Sequence, residues 1–136
     1  MKIFVLDSSA VLRYIDDEPG ADRVEEIFKE CLHARGKMCM SALQWGEIAG
    51  RLRKQLGAAK ATRVLETLVP LEVDIVAATA ERAVQAATLR ADRGISYADC
   101  FALDLAMDSE VHVLVTADYE FKAAADLASI EFLPPK

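Results

Sequence analysis

Short apolar runs alternate along the chain with longer segments of helical periodicity. The runs at residues 3–6, 37–40, 71–76 and 111–115 predict strands, and a further run at 130–133 predicts an edge strand. The strand cores are continuously apolar rather than alternating, which is typical of a sheet buried on both faces. Because strands and helices alternate, we predict an α/β fold, an α/β/α sandwich with a central, mainly parallel sheet.

The segments between these runs repeat their apolar residues every three to four positions, which indicates amphipathic helices. The predicted helices cover residues 10–15, 21–33, 41–56, 58–68, 77–93, 97–107 and 118–127. The helix from 97 is apolar on most of its circumference and should be buried. In the helix from 77, one side collects apolar residues that we expect to pack inward: Ala80, Ala83, Val84, Ala87 and Ala91.

The composition agrees with the predicted fold and limits the class of protein to which the chain can belong. The chain has 136 residues, of which 53% are hydrophobic and 28% charged, so we expect one packed domain over residues 1–136 rather than disorder. No apolar run approaches the roughly 20 residues of a membrane helix, and the first residues do not form a signal peptide. We therefore expect a cytoplasmic protein whose cysteines, Cys31, Cys39 and Cys100, are reduced packing residues.

The net charge of -6 bears on nucleic-acid binding. It argues against a non-specific nucleic-acid binder, whose domain would usually be basic. It does not exclude a nuclease, because a cluster of carboxylates that binds metal lowers the net charge by itself, and the bound cations reverse the local field.

Four acidic residues stand where a parallel sheet places its ligands. Asp7 directly follows the first strand, and Asp118 follows the strand at 111–115. Glu47 lies about two turns into the third helix, and Asp99 lies in the first turn of the buried helix. Ligands of open α/β sheets bind beyond the carboxyl ends of the strands, so these four side chains are expected to converge.

Four carboxylates in one pocket would repel one another, and some would stay protonated with raised pKa values. A hard divalent cation removes this conflict, and Mg²⁺ and Mn²⁺ prefer oxygen ligands. Such an ion lowers the pKa of a bound water and stabilises charge on a phosphate. Hydrolysis of phosphodiester bonds is the chemistry that this arrangement suits best.

Each acid also has an ordinary structural explanation. Asp7 and Asp118 are good helix caps, and Asp99 occupies the acidic position of a capping box. Glu47 is spaced to pair with Arg51 one turn later on the same helix. The spacing alone leaves the structural and the metal-binding interpretations open.

The motifs around these acids carry more information than the acids alone. They read Val5-Leu6-Asp7-Ser8-Ser9, Ser41-Ala42-Leu43-Gln44-Trp45-Gly46-Glu47, Ser96-Tyr97-Ala98-Asp99-Cys100 and Val115-Thr116-Ala117-Asp118. In order and context, over essentially the whole chain, they resemble the hallmarks of the PIN-domain family. The small size resembles the VapC type, the toxin half of toxin–antitoxin pairs.

This resemblance implies an endoribonuclease that depends on Mg²⁺ or Mn²⁺, forms a homodimer and is neutralised by a VapB-type antitoxin. The positions that match the family's metal ligands and catalytic acids are Asp7, Glu47, Asp99 and Asp118. Ser9 and Thr116 match hydroxyl positions that orient a ligand or a water. The RNA substrate itself is not identified by the sequence.

Basic and aromatic residues near these acids are candidates for RNA contacts. Arg51, Lys54 and Arg93 could bind phosphates, although solvated helix faces are the more common role of such residues. Tyr97 and Trp45 could stack on bases. Trp45 lies on the apolar stripe of its helix, which favours packing.

Three other classes of protein compete with the nuclease. A non-catalytic PIN-like interaction module would have lost acids that are all present here. An aspartate-based phosphatase would carry a second Asp two residues after the first, where this chain has Ser9. A dinucleotide-binding domain would have a GxGxxG after the first strand, and none is present.

Overall fold

The computed structural model describes residues 1–136, which form a five-stranded sheet with helices on both faces. The strands are β1 (Lys2–Leu6), β2 (Gly36–Ser41), β3 (Asp74–Val76), β4 (His112–Thr116) and β5 (Ser129–Phe132). Their order is β3-β2-β1-β4-β5, and every neighbouring pair is parallel. The predicted α/β/α sandwich is confirmed, and its sheet is parallel throughout.

Six helices flank the sheet. They are α1 (Ser8–Ile15), α2 (Ala21–Leu32), α3 (Ala42–Leu56), α4 (Ala58–Leu68), α5 (Ala80–Arg93) and α6 (Tyr97–Ala106). Hydroxyl caps fix three of their starts, because Ser41, Thr79 and Ser96 each accept a bond from a backbone N–H of the first turn. No helix has both the length and the apolarity needed to cross a membrane.

The sheet separates two hydrophobic cores. Phe4 and Leu6 of β1 point into a core shared with α1, α2, α3 and α4, whereas Val5 points into a second core under α5 and α6. This alternation is what a strand buried on both faces requires. Cys39 and Cys100 lie in the second core as free thiols, which confirms the expected packing role.

Two predicted elements are shorter than expected. The strand predicted at 71–76 begins only at Asp74, because residues 69–71 form a 3₁₀ turn and Glu72 after it has a left-handed backbone with φ 58°. The segment predicted as a last helix, 118–127, forms a 3₁₀ helix over Tyr119–Ala124. Asp118 is its cap, as its side chain accepts from the backbone N–H of Glu120.

The buried face of α5 also differs from the prediction. Ala86 and Leu89 are buried, whereas Val84 is 68% exposed. Alanine occurs on nearly every side of this helix, so apolar periodicity does not select a face. Packing against α6 selects it instead.

The C-terminal segment is fastened across α1. The Arg13 guanidinium, 8% exposed, donates from one nitrogen to the carbonyl oxygens of Pro19 (2.6 Å) and Pro134 (2.8 Å). Gly20 lies beneath this segment with φ 97°, and a Cβ there would come within 2.9 Å of the Leu133 Cβ. The close approach and the left-handed backbone both call for glycine at this turn.

Candidate metal centre

The four predicted acids gather at the carboxyl edge of the sheet. Asp7 directly follows β1 and Asp118 follows the neighbouring strand β4, and the Asp7 N–H donates to the Val115 carbonyl at 3.0 Å. Glu47 reaches this edge from the second turn of α3, and Asp99 from the first turn of α6. The Asp7 charge is close enough to raise the pKa of both Glu47 and Asp99.

Asp7 lies at the bottom of this cluster and is 2% exposed. One carboxylate oxygen, Oδ2, accepts from the hydroxyls of Ser9 (2.6 Å) and Thr116 (2.8 Å). The other, Oδ1, is buried without any protein donor. Although Asp7 is the residue before α1, its side chain makes no capping bond, so the cap does not account for it.

Burial raises the pKa of Asp7, and the two hydroxyls counteract this by hydrogen bonding to the charged form. The hydroxyls also join the start of α1 to the end of β4. The Ser9 hydroxyl oxygen accepts from the Ala117 N–H at 2.9 Å, and that of Thr116 accepts from the Asp118 N–H at 2.9 Å. Ser9 and Thr116 therefore hold Asp7 and the backbone of Asp118 in one network.

Burial, followed by the charge of Asp7, raises the pKa of Asp99 to about 7. The charge of Asp118 acts in the same direction, and a hydrogen bond with Ser96 opposes it. Carboxylate oxygens of Asp99, Asp118 and Glu120 all lie within 4.8 Å of one another. Such separations allow a single cation to be shared among these side chains.

Glu47 lies exposed on α3, and the Ser8 hydroxyl donates to its Oε1 at 3.3 Å. Partial desolvation of the carboxylate, and then the Asp7 charge, raise the pKa of Glu47. The pair with Arg51 that its spacing allows is not formed, since the ion pairs of the structure do not include it. Glu47 therefore carries its charge toward the cluster without a cationic partner.

Glu120 is a member of the cluster that the sequence analysis missed. A helix was predicted from Asp118, and in an α-helix residues i and i+2 do not face each other. The cap followed by a 3₁₀ turn brings Asp118 and Glu120 to one side instead. The sequence did contain a signal, because Asp118 and Glu120 are two acidic residues that follow a predicted strand closely.

The candidate RNA-contact residues lie in different settings. Arg51 and Lys54 are exposed on α3 and form no ion pair. Arg93 holds Asp126 through two hydrogen bonds of 2.6 and 2.9 Å and donates to the Ala123 carbonyl at 3.2 Å. A phosphate would have to compete with that ion pair for Arg93.

The two aromatic candidates also differ in exposure. Trp45 is half-buried and packs against the first core, in agreement with the packing interpretation. Tyr97 is 38% exposed and contacts Phe101 edge to face at 5.1 Å. Tyr97, next to Ala98 and Asp99 in the first turn of α6, is thus the more accessible ring.

The side chains that meet here suit a hard divalent cation. None of the acids Asp7, Glu47, Asp99, Asp118 and Glu120 forms an ion pair with Lys or Arg. Their donors are carboxylate oxygens, which Mg²⁺ and Mn²⁺ prefer. A buried oxygen without a donor, as on Asp7, is costly unless an ion or water supplies the missing partner.

Comparison with known proteins addresses the family and the fold of the chain. The PIN domain family model matches residues 4–127. No curated protein matches the chain. Among solved structures, the chain is similar to a chain of VapBC2 from Rickettsia felis bound to promoter DNA. The TM-score is 0.76 and the sequence identity 18%, and the match covers 97% of this chain and 99% of that chain.

Two further structures are similar to the chain over nearly their whole length. The DNA-bound VapBC of Salmonella typhimurium gives a TM-score of 0.72 at 22% identity, covering 97% of this chain and 98% of that chain. FitAcB from Neisseria gonorrhoeae gives 0.63 at 19% identity, covering 94% and 96% respectively. At these identities the likeness establishes the fold.

Proposed function

The chain belongs to the PIN-domain family, and from this premise we propose that it is a VapC-type endoribonuclease toxin that depends on Mg²⁺ or Mn²⁺. The observation that carries the proposal is the group of carboxylates at the carboxyl edge of the sheet, with no Lys or Arg paired to any of them. The buried, unpartnered Oδ1 of Asp7 adds a ligand atom that the protein itself leaves unsatisfied.

In this proposal Asp7, Glu47, Asp99 and Asp118 hold the cation, with Glu120 at the exposed rim. When bound, a divalent ion lowers the pKa of a water ligand and offsets the charge on the scissile phosphate. Ser9 and Thr116 orient Asp7 and favour its charged form through their hydrogen bonds to its Oδ2.

Asp99 would exchange a proton for the metal. Because its pKa is raised to about 7, its carboxyl group is partly protonated near neutral pH in the metal-free protein. A bound cation would favour the charged form of Asp99, and the carboxyl group would release its proton to solvent. Apparent metal affinity should therefore increase with pH through this range.

The proposed partners follow from the solved structures of similar fold, several of which are toxin–antitoxin complexes. We assign to this chain a VapB-type antitoxin that covers the acidic cluster, a homodimeric state of a single domain, and RNA in the cytoplasm as its substrate. Arg51 and Lys54, exposed and unpaired on α3, are candidates to bind its phosphates, and Arg93 is the third candidate.

The first experiment is cleavage of total cellular RNA by purified, antitoxin-free protein with Mn²⁺ or with EDTA. Discrete products should form only with the metal, and Asp7→Asn should abolish them while leaving the fold intact. Asp92→Asn, an exposed acid at the end of α5, is the matched control and should cleave normally. Full activity of Asp7→Asn, or cleavage in EDTA, would refute the proposal.

Calorimetry separates the nuclease from the non-catalytic alternative. A metal-dependent enzyme should give saturable Mn²⁺ binding that Asp7→Asn removes. A chain that neither binds Mn²⁺ nor cuts RNA would instead be an interaction module with a PIN-like fold. The aspartate-based phosphatase has no support, because the position of its second acid is Ser9, whose hydroxyl donates to Asp7.

A further inference from the structure

Gln44 is a buried amide that the proposed chemistry does not use. It lies in α3 one turn before Glu47 and is 0% exposed. Its Nε2 donates to the carbonyl oxygen of Ala98 at 2.7 Å, and Ala98 directly precedes Asp99. The amide therefore connects the backbone beside one acid of the cluster to the helix that carries another.

This hydrogen bond joins the two layers of the sandwich. α3 packs on the first core through Ile48 and Leu52, whereas α6 lies in the second core on the opposite face of the sheet. The Gln44–Ala98 bond is the only hydrogen bond between α3 and α6. Without it, the separation of Glu47 and Asp99 would be set by apolar packing alone, which is not directional.

The buried amide of Gln44 is energetically unfavourable, and the need to fill space in the core does not account for its presence. Its Oε1 is buried and accepts no hydrogen bond. A methionine has nearly the same volume and would fill this space without a buried unsatisfied acceptor.

We infer that Gln44 is a positioning residue, which holds Glu47 and Asp99 at the separation that lets both carboxylates bind the same divalent cation. This inference rests on the proposed metal-dependent function. Gln44 itself neither binds the metal nor contacts RNA, because its side chain is buried between the two helices.

Two substitutions separate the length of the side chain from its amide group. Gln44→Met keeps the length and removes the amide, and Gln44→Asn keeps the amide but is one methylene too short to reach Ala98. Leu52→Met is the control, since Leu52 is buried in the same helix away from the acids. Circular dichroism and thermal denaturation in EDTA establish that each variant is folded.

Mn²⁺ titration by calorimetry is the deciding measurement. Both Gln44 variants should bind Mn²⁺ on the order of tenfold more weakly than wild type, as for residues that orient metal ligands, and Leu52→Met should bind it as wild type does. With an RNA substrate, kcat should fall while KM stays unchanged, because the buried amide contributes nothing to RNA binding.

Wild-type Mn²⁺ affinity in Gln44→Met would overturn the inference, even if Gln44→Asn bound weakly, since packing volume would then suffice. A wild-type protein that binds Mn²⁺ but cuts no RNA would refute the nuclease. In that event the tenfold difference in Mn²⁺ affinity would still support the positioning role.

Discussion

Asp99 makes the stability of the metal-free protein depend on pH. Its pKa in the folded state is about 7, against an ordinary value of 3.8, so folding takes up a proton between these values. The contribution of Asp99 to the free energy of unfolding is therefore greatest at low pH and decreases as the pH rises through this window. Asn at this position cannot ionise and removes that dependence.

We accordingly expect Asp99→Asn to have a higher Tm than wild type at about pH 7.5 in EDTA, by a few degrees, and to lose less stability between about pH 4 and pH 7. Thermal denaturation followed by circular dichroism across that range is the measurement. Glu66→Gln, an exposed and unpaired acid of α4, is the control and should follow wild type. Parallel curves for wild type and Asp99→Asn would contradict the assigned pKa.

At the residue level, the sequence identified acids that follow strands or open helices. Asp7 and Asp118 were predictable because a parallel sheet gathers the carboxyl ends of its strands at one edge. Gln44 and Glu120 were not predictable in this way. The role of Gln44 depends on a contact with a segment distant in the chain, and that of Glu120 depends on a 3₁₀ turn. Gln44 did leave a sign, because it precedes Ile48 by four residues on the buried face of α3.

Among the elements, a side chain of α1 helps to hold the last residues of the chain. Arg13→Ala would leave the carbonyls of Pro19 and Pro134 without their charged donor and would loosen residues 134–136, whereas Leu133 keeps its bonds to Thr116 and Tyr119. Hydrogen bonds to charged groups contribute more than neutral ones, so we expect the free energy of unfolding to fall by about 2–4 kcal/mol. Urea denaturation measures this change, and Arg63→Ala, an exposed residue of α4, should leave it unchanged.

A second measurement tests where the effect of Arg13→Ala lies. Carboxypeptidase should trim the C-terminus of this variant much faster than that of wild type or Arg63→Ala, because release of the segment exposes its backbone. If the variant were as stable and as resistant as wild type, the fastening role of Arg13 would be wrong.

Elements with continuous apolar runs were the most predictable. The strands around Val5, Cys39 and Leu114 needed no tertiary information, because each is buried on both faces. Elements at the edges of the fold could be predicted correctly only with tertiary information. β3 is an edge strand whose start is limited by the 3₁₀ turn at residues 69–71, and the face of α5 is chosen by its neighbour α6.

For the whole molecule, metal binding should increase the free energy of unfolding. A ligand that binds only the folded state at about 100 times its Kd adds about 2.7 kcal/mol, or roughly 6–12 °C in Tm for a chain of this length. Mn²⁺ should therefore raise the Tm of wild type, and EDTA should reverse the change. Asp7→Asn should show no such shift, and an equal shift in that variant would place the bound metal elsewhere.

The distribution of the acids along the chain has a consequence for synthesis. Asp7 is made before its partners in the cluster, which follow at Glu47 and Asp99 and then at Asp118 and Glu120. A nascent chain on the ribosome contains no complete set of ligands until Glu120 has been added, and β4, which positions the last ones, can join β1 only after more than a hundred residues have been made. Any chemistry of the cluster has to wait for this segment, so translation itself delays the onset of activity.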